Sequence, residues 1–286
     1  MDTITIKAPA KINLGLDITG RRPDGYHTVD MVNISVSLYD EITITKNGGL
    51  GLRIFCDDPD VPCDEHNLCA KAAAALAKAA GTPGFDADIT IIKNIPTRAG
   101  LGGGSSDAVA TIKGLLALFD PDISDDELSA AALRVGADVP YCLKGGIMRA
   151  GGIGEILSPI DCITEFSVCI LMPDNGGVST PEAYKAVDAI VDTVHPDIDG
   201  LIHGLKKGYF DAIRDNTGNV FQQALPSDDT ERAITLLKDA GCFTACLSGS
   251  GAAVFGLVAP GIDIDREQLV RGAGKDYRVF TGLSVI

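Results

Sequence analysis

The sequence has no tryptophan, and only 5% of its 286 residues are aromatic. A core must therefore be built from Ala, Val, Ile and Leu, which suits helices packed on sheets better than surfaces of stacked rings. Positive charge is also scarce: 24 Lys and Arg stand against 39 Asp and Glu, a formal net charge of −15. That balance leaves no extended basic face for DNA, RNA or an anionic membrane. An anionic small substrate would instead need a local nest of positive groups. No uncharged run of the roughly 20 residues that span a bilayer is continuously apolar. The opening MDTITIKAPAKINLGLD alternates in strand fashion and carries charge, unlike the apolar block of a signal peptide. A cytoplasmic protein is expected, with no nucleic-acid and no membrane partner. The eight cysteines form no CxxC pair, and several lie in apolar runs, so buried free thiols are expected. Cys242 and Cys246 are the closest in sequence to sharing a metal, yet the four histidines supply no partner motif.

No internal repeat, low-complexity tract or long linker is present. Residues 3–8, 12–19, 29–38 and 41–46 alternate apolar and polar residues with period two, the pattern of half-buried strands. Between the second and third lies RRPDGY, a turn sequence. HNLCAKAAAALAKAAG reads as an Ala-rich helix closed by Gly81, and DADITIIKNIP as a strand stopped by Pro96. ISDDELSAAALRVG opens on a capping box, Ser124 with Glu127, and ends at Gly136. FSVCILMP reads as a strand, and STPEAYKAVDAIV as a helix with Thr180 as cap and Pro181 in the first turn. Further helices are expected near 197–206 and 228–240, ahead of a strand-rich CFTACLSGSGAAVFGLV. Several strands before the helices favour α+β over a doubly wound parallel sheet.

The most informative segment is Pro96-Thr97-Arg98-Ala99-Gly100-Leu101-Gly102-Gly103-Gly104-Ser105-Ser106-Asp107, between an expected strand and an expected helix. Its glycines allow positive φ and bring backbone N–H groups close to a ligand, and the helix adds its positive N-terminal end. This is a phosphate cradle. Ser105 or Ser106 offers a hydroxyl to phosphate or Mg²⁺, and no other protein ligand for a metal is assigned. Asp107 reads as a charge at the helix N-terminus. A Walker loop would require a lysine that is missing, and a dinucleotide fingerprint would require an opening βαβ unit.

The loop resembles the second motif of the GHMP kinases, the family of galactokinase, homoserine kinase, mevalonate kinase and phosphomevalonate kinase. Ala8-Pro9-Ala10-Lys11-Ile12-Asn13-Leu14 resembles the first motif, and Leu247-Ser248-Gly249-Ser250-Gly251-Ala252-Ala253 the third. Three matches in order across nearly the whole chain are far more specific than any one. Arg22-Pro23-Asp24-Gly25-Tyr26-His27, Gly136-Ala137-Asp138-Val139-Pro140-Tyr141 and Gly177-Val178-Ser179-Thr180 further resemble the branch that acts on cytidine diphosphate-linked methylerythritol in non-mevalonate isoprenoid synthesis. The resemblance implies an N-terminal domain of ribosomal-protein-S5 type over residues 1–158 and a ferredoxin-like C-terminal domain over 159–286. It also implies ATP with Mg²⁺ as donor and the 2-hydroxyl of the methylerythritol as acceptor. Another kinase of the family, of homoserine or phosphomevalonate type, and a catalytically silent nucleotide sensor are the alternatives. A monomer or homodimer is expected.

Carried onto this sequence, the resemblance gives Asp138 the role of base and Lys11 that of a cation on the transferring group or on the base. Pro96 through Ser106 would bind ATP. Tyr26 and His27 would contact cytosine, by stacking and by reading the base edge, although a hairpin-edge pair could equally pack on the core. Asn13 would bond substrate oxygens, if it is more than a strand-end amide, and Gly249, Ser250 and Gly251 would approach phosphate through the backbone. Thr180 lies in a substrate-like segment and also where a helix cap is expected. Asp17 and Asp24 read as solvated acids.

Overall fold

A computed structural model describes residues 2–174, 177 and 179–286. The chain runs β1 (Thr3–Arg21), β2 (His27–Lys46), β3 (Leu52–Cys56), α1 (Leu68–Ala79), β4 (Ala87–Ile92), α2 (Gly103–Phe119), α3 (Asp125–Val135) and α4 (Val139–Lys144). It continues through β5 (Ile147–Gly151), β6 (Ile156–Pro159), β7 (Ser167–Pro173), α5 (Thr180–Val187), α6 (Ile198–Lys207), α7 (Phe210–Asn216), β8 (Gly218–Asn219) and α8 (Val220–Ala224). The last elements are α9 (Asp228–Asp239), β9 (Thr244–Leu247), β10 (Val254–Val258), α10 (Arg266–Ala273) and β11 (Tyr277–Ser284).

The four strands expected before residue 46 are two long ones, β1 and β2, because the period-two pattern continues through each with no breaker strong enough to end it. The RRPDGY segment turns the chain between them as expected. Gly25 has φ 92° and its amide donates to the Arg22 carbonyl at 2.9 Å. The chain packs as two compact units, and β1 and β2 each pass from one into the other.

The first unit holds the chain up to Ala10, Leu38–Thr97 and Gly102–Lys144. Here β3 pairs parallel with β4, and β4 pairs antiparallel with Glu41 to Lys46 of β2. The inward rows Ile42, Ile44, Ile89 and Ile91 bury against Leu76 and Leu115 of α1 and α2. A second cluster, Ala72, Ala108, Ile112, Ala132 and Val139, knits the helices together with small residues where aromatic ones are scarce. Asn67 caps α1, its side chain accepting from the Cys69 amide at 2.8 Å. Ser124 and Glu127 make the expected capping box of α3.

The second unit holds Lys11–Ser37, Arg98–Leu101 and Gly145–Ile286. Gly15 and Leu16 of β1 pair parallel with β8, and Met31 to Ile34 of β2 pair antiparallel with β5. A separate antiparallel sheet has the order β11-β7-β10-β9. Numbered by their own sequence, these strands lie 4-1-3-2, with α9 between the first and second and α10 between the third and fourth. That is the βαββαβ arrangement of a ferredoxin-like domain, as expected from the resemblance. Leu171, Val254, Leu237 and Leu269 form its core. All eight cysteines are free, with Cys69, Cys169, Cys242 and Cys246 buried and Cys63 exposed. Burial pushes the Cys246 thiol up to about 12, so it is inert at neutral pH.

Candidate active site

The glycine-rich loop is divided between the units. Pro96 and Thr97 and residues 102–106 pack with the first, and Ala99, Gly100 and Leu101 with the second. In the second unit the three sequence motifs meet through their backbones. The Lys11 amide donates to the Leu101 carbonyl at 2.9 Å, and the Ala253 amide donates to the Ala99 carbonyl at 3.0 Å. The Ser248 hydroxyl donates to the Gly100 carbonyl at 3.0 Å. Gly100 and Gly249 have φ of 75° and 56°, which side chains rarely adopt. A Cβ on Gly249 would lie 3.0 Å from the Gly100 carbonyl oxygen. Asn219 holds this turn from beneath, its amide donating at 2.8 Å to the carbonyls of both Leu247 and Gly249. Arg98 also has positive φ, 52°, a conformation that its side chain disfavours.

Lys11 and Asn13 alternate along β1 on one face and are both buried. The Lys11 ammonium donates to Asn13 Oδ1 at 2.8 Å, and Asn13 Nδ2 donates to Asn33 Oδ1 at 2.5 Å. This buried polar row fixes where the Lys11 charge sits. Asn13 is therefore not an ordinary strand-end amide, and Asn33 is a supporting residue that sequence patterning gave no reason to pair with it.

The PDGYH turn builds a second cluster in the same unit. Tyr26 is 62% exposed. The His27 ring instead stacks on Tyr184 at 4.6 Å and 15°, and Tyr184 meets Phe221 edge-on at 5.0 Å. His27 Nε2 lies 2.7 Å from Asp188 Oδ1, and Arg21 reaches Oδ2 of the same carboxylate at 3.4 Å. Tyr184 and Asp188 are four residues apart at the end of α5, hence on one helix face. Their spacing was visible in the sequence, but nothing there pointed to His27. Thr180 is the first residue of α5 and not its cap. Ser179 caps the helix, with its hydroxyl and amide both on Glu182 Oε2, at 2.6 and 3.4 Å. Asp17 is buried and bonded to His195 Nδ1 at 2.7 Å, which corrects its reading as a solvated acid. Asp24 is solvated and pairs with Arg22.

In the first unit Gly102, at φ 67°, precedes the first residue of α2. Ser105 and Ser106 thus lie in the helix's first turn, not at its cap; Ser105 is half-buried and Ser106 is buried. Asp107 is not a solvated N-terminal charge. It is buried, and Lys93 donates to its Oδ2 at 2.7 Å and also to Asp40 Oδ2. Asp40 Oδ1 accepts the amides of Asn94 and Ile95 at 2.6 and 2.8 Å. One ammonium between two buried carboxylates therefore ties the end of β4 to the start of α2, on either side of the loop. Burial pushes the Lys93 ammonium down, but Asp107 and Asp40 more than reverse this and leave it above the usual range. Desolvation pushes Asp107 up to about 7, with Lys93 opposing and Asp40 adding to the rise. A Cβ on Gly103 would lie 3.3 Å from the Lys93 nitrogen. Asp138 immediately precedes α4, half-buried, with its carbonyl accepting the Cys142 amide at 3.0 Å. Pro140 lies in the first turn of α4, a position to which proline is well suited.

Two family models match, GHMP kinases N terminal domain over residues 67–146 and GHMP kinases C terminal over 201–270. A 4-diphosphocytidyl-2-C-methyl-D-erythritol kinase of Prosthecochloris aestuarii is 41% identical over 276 residues, covering 94% of each chain. One of Clostridium novyi is 38% identical, covering 87% of this chain and 89% of the relative. Among solved structures, a 4-(cytidine 5'-diphospho)-2C-methyl-D-erythritol kinase superposes with TM-score 0.79 at 30% identity over 99% of this chain and 100% of its own. A homoserine kinase from Cytophaga hutchinsonii shares the fold, with TM-score 0.75 at 19% identity over 100% of this chain and 95% of its own. The chain belongs to the GHMP kinases, and within them to the 4-diphosphocytidyl-2-C-methyl-D-erythritol kinase family.

Proposed function

We propose that this chain transfers the γ-phosphoryl group of ATP to the 2-hydroxyl of 4-diphosphocytidyl-2-C-methyl-D-erythritol, a step of non-mevalonate isoprenoid synthesis. The observation that carries this reading is the joining of all three GHMP motifs through Lys11, Ala99, Gly100, Leu101, Ser248 and Ala253, with a cytidine-type PDGYH turn in the same chain. Phosphoryl transfer is mostly positioning plus electrostatic stabilisation of a charged transition state, and the residues divide along those lines. Backbone amides of the glycine loop and the N-terminus of α2 bind the ATP phosphates. Lys11, held by Asn13, places positive charge on the transferring group. Asp138 accepts the proton of the acceptor hydroxyl. Gly249, Ser250 and Gly251 approach substrate phosphate through the backbone, Thr180 contacts the substrate, and Tyr26 and His27 recognise the base.

Mg²⁺ keeps several waters and needs only one or two protein oxygens beside the phosphates. Ser105 fits that demand, since its hydroxyl lies in the first turn of α2 and is half-buried, whereas Ser106 is buried. Bound there, the ion would neutralise charge on the β- and γ-phosphates. The protein functions in the cytoplasm, as monomer or homodimer.

The acceptor decides between this reading and another GHMP activity. ADP release should depend on the cytidylated acceptor and be negligible with homoserine, mevalonate or phosphomevalonate. Turnover with one of those acceptors but not the cytidylated one would refute the assignment, and ATP binding without turnover on any would indicate a silent sensor.

A further inference from the structure

We propose that Asp188 is a positioning residue for nucleobase selection, setting the tautomer of His27 so that its free ring nitrogen accepts a hydrogen bond from an exocyclic amine. The inference rests on the reading of the PDGYH turn as the base-recognition element. An ionised carboxylate has only acceptors, so the 2.7 Å contact between Asp188 Oδ1 and His27 Nε2 requires the proton on Nε2. In the neutral ring Nδ1 is then a bare acceptor, and it has no hydrogen-bond partner among the described residues. Cytosine presents an amine at position 4 where uracil presents a carbonyl oxygen. A ring fixed in this tautomer accepts from the first and meets the second lone pair to lone pair.

The surroundings hold the ring in place. His27 is 10% exposed in its side chain, and stacking on Tyr184 fixes the ring plane, while the Asp188 bond fixes rotation within that plane. Tyr184 lies in α5 and Asp188 is that helix's C-terminal cap, so a single element sets both. Arg21 joins Asp188 to the turn, because it reaches Asp188 Oδ2 at 3.4 Å and its Nε donates to the Gly25 carbonyl at 3.1 Å. Asp188 itself needs no contact with substrate.

Two measurements test this, one needing no substrate. In ¹⁵N spectra of the ligand-free protein at alkaline pH, His27 should show a protonated Nε2 and a bare Nδ1, and Asp188→Ala should move it toward a mixture of tautomers. In turnover, Asp188→Ala should lower the preference for cytidylated over uridylated acceptor, measured as the ratio of kcat/KM, by about tenfold, the scale of one hydrogen bond. The KM for ATP should stay near wild type, and Asp188→Glu should recover part of the preference. A proton on Nδ1 in the wild-type protein would overturn the proposal. So would an unchanged cytidine-to-uridine ratio in Asp188→Ala with both affinities reduced together, which would make Asp188 a packing residue only. Failure of the wild-type protein to use any cytidylated acceptor would strike the functional reading instead, leaving the ¹⁵N result to decide the tautomer.

Discussion

A Cβ on Gly100 would stand 2.0 Å from the carbonyl oxygen of Ser248, a residue 148 positions later in the chain. The second and third motifs are pressed together backbone to backbone, and the requirement for glycine at position 100 is steric as well as conformational, since its φ is 75°. Within the glycine run, Gly100 is the member that permits the junction of two motifs.

Gly100→Ala should accordingly destabilise the fold by more than about 2 kcal/mol, from overpacking against rigid backbone added to the strain of positive φ. Gly48→Ala is the control: its φ is 71° but nothing lies within 4 Å of the added carbon, so only the strain of positive φ, about 1–2 kcal/mol, remains. Denaturant midpoints of the two variants check this, and equal losses would mean that the contact with Ser248 relaxes freely.

The Lys93 cluster predicts a pH dependence of stability. Asp107 sits at about 7 in the folded chain against an ordinary 3.8, so between those values the folded chain keeps a proton that the unfolded chain has released. Its contribution to stability is fully present below the lower value and is lost as pH rises through the higher one. Asp107→Asn should remove that loss, so the difference in Tm between variant and wild type should shift in the variant's favour from about pH 4 to about pH 7. A constant difference across this range would show that Asp107 stays ionised beside Lys93.

Asp138→Asn removes a proton acceptor at nearly constant volume. Turnover should fall by roughly 10²–10⁴-fold, with calorimetric ATP affinity almost unchanged. Turnover within a few-fold of wild type would reduce Asp138 to an N-terminal residue of α4.

Tyr26 is exposed and lies beside the residue that stacks on Tyr184, so it is available to a base where the His27 ring is already engaged. Stacking on an aromatic ring is worth roughly 1–3 kcal/mol per base, so Tyr26→Ala should raise the KM for the cytidylated acceptor by about 5- to 100-fold. The KM for ATP should barely move. Equal losses for both substrates would assign the turn to the fold and not to the base.

The readability of these features in the sequence follows the range of the forces involved. Period-two alternation marked β1 and β2, the Pro-Asp-Gly turn marked their junction, and Ser124 with Glu127 marked the start of α3, because each is a local pattern enforced by neighbouring residues. Lys11 and Asp138 could be named only through the family motifs, which stand for contacts that spacing cannot reveal. Asp107 was misread because a carboxylate near a helix start is usually solvated, and the groups around it are distant in sequence: Lys93 lies 14 residues from Asp107 and 53 from Asp40. The same limit hid Asn33 beside Asn13, and Asp188 beside His27 at a separation of 161 residues. The misplaced cap of α5 is of another kind: Ser179 and Thr180 both suit an N-cap, and the position of Glu182 three residues after Ser179 decides between them.

The most direct test of the whole account is the position of the transferred phosphate. The purified protein, given ATP, Mg²⁺ and the cytidylated methylerythritol, should yield one new phosphomonoester by ³¹P NMR, with carbon–phosphorus coupling that places it on the 2-hydroxyl, in step with ADP formed. A phosphate on any other hydroxyl, or ADP formed with no phosphorylated acceptor, would contradict it.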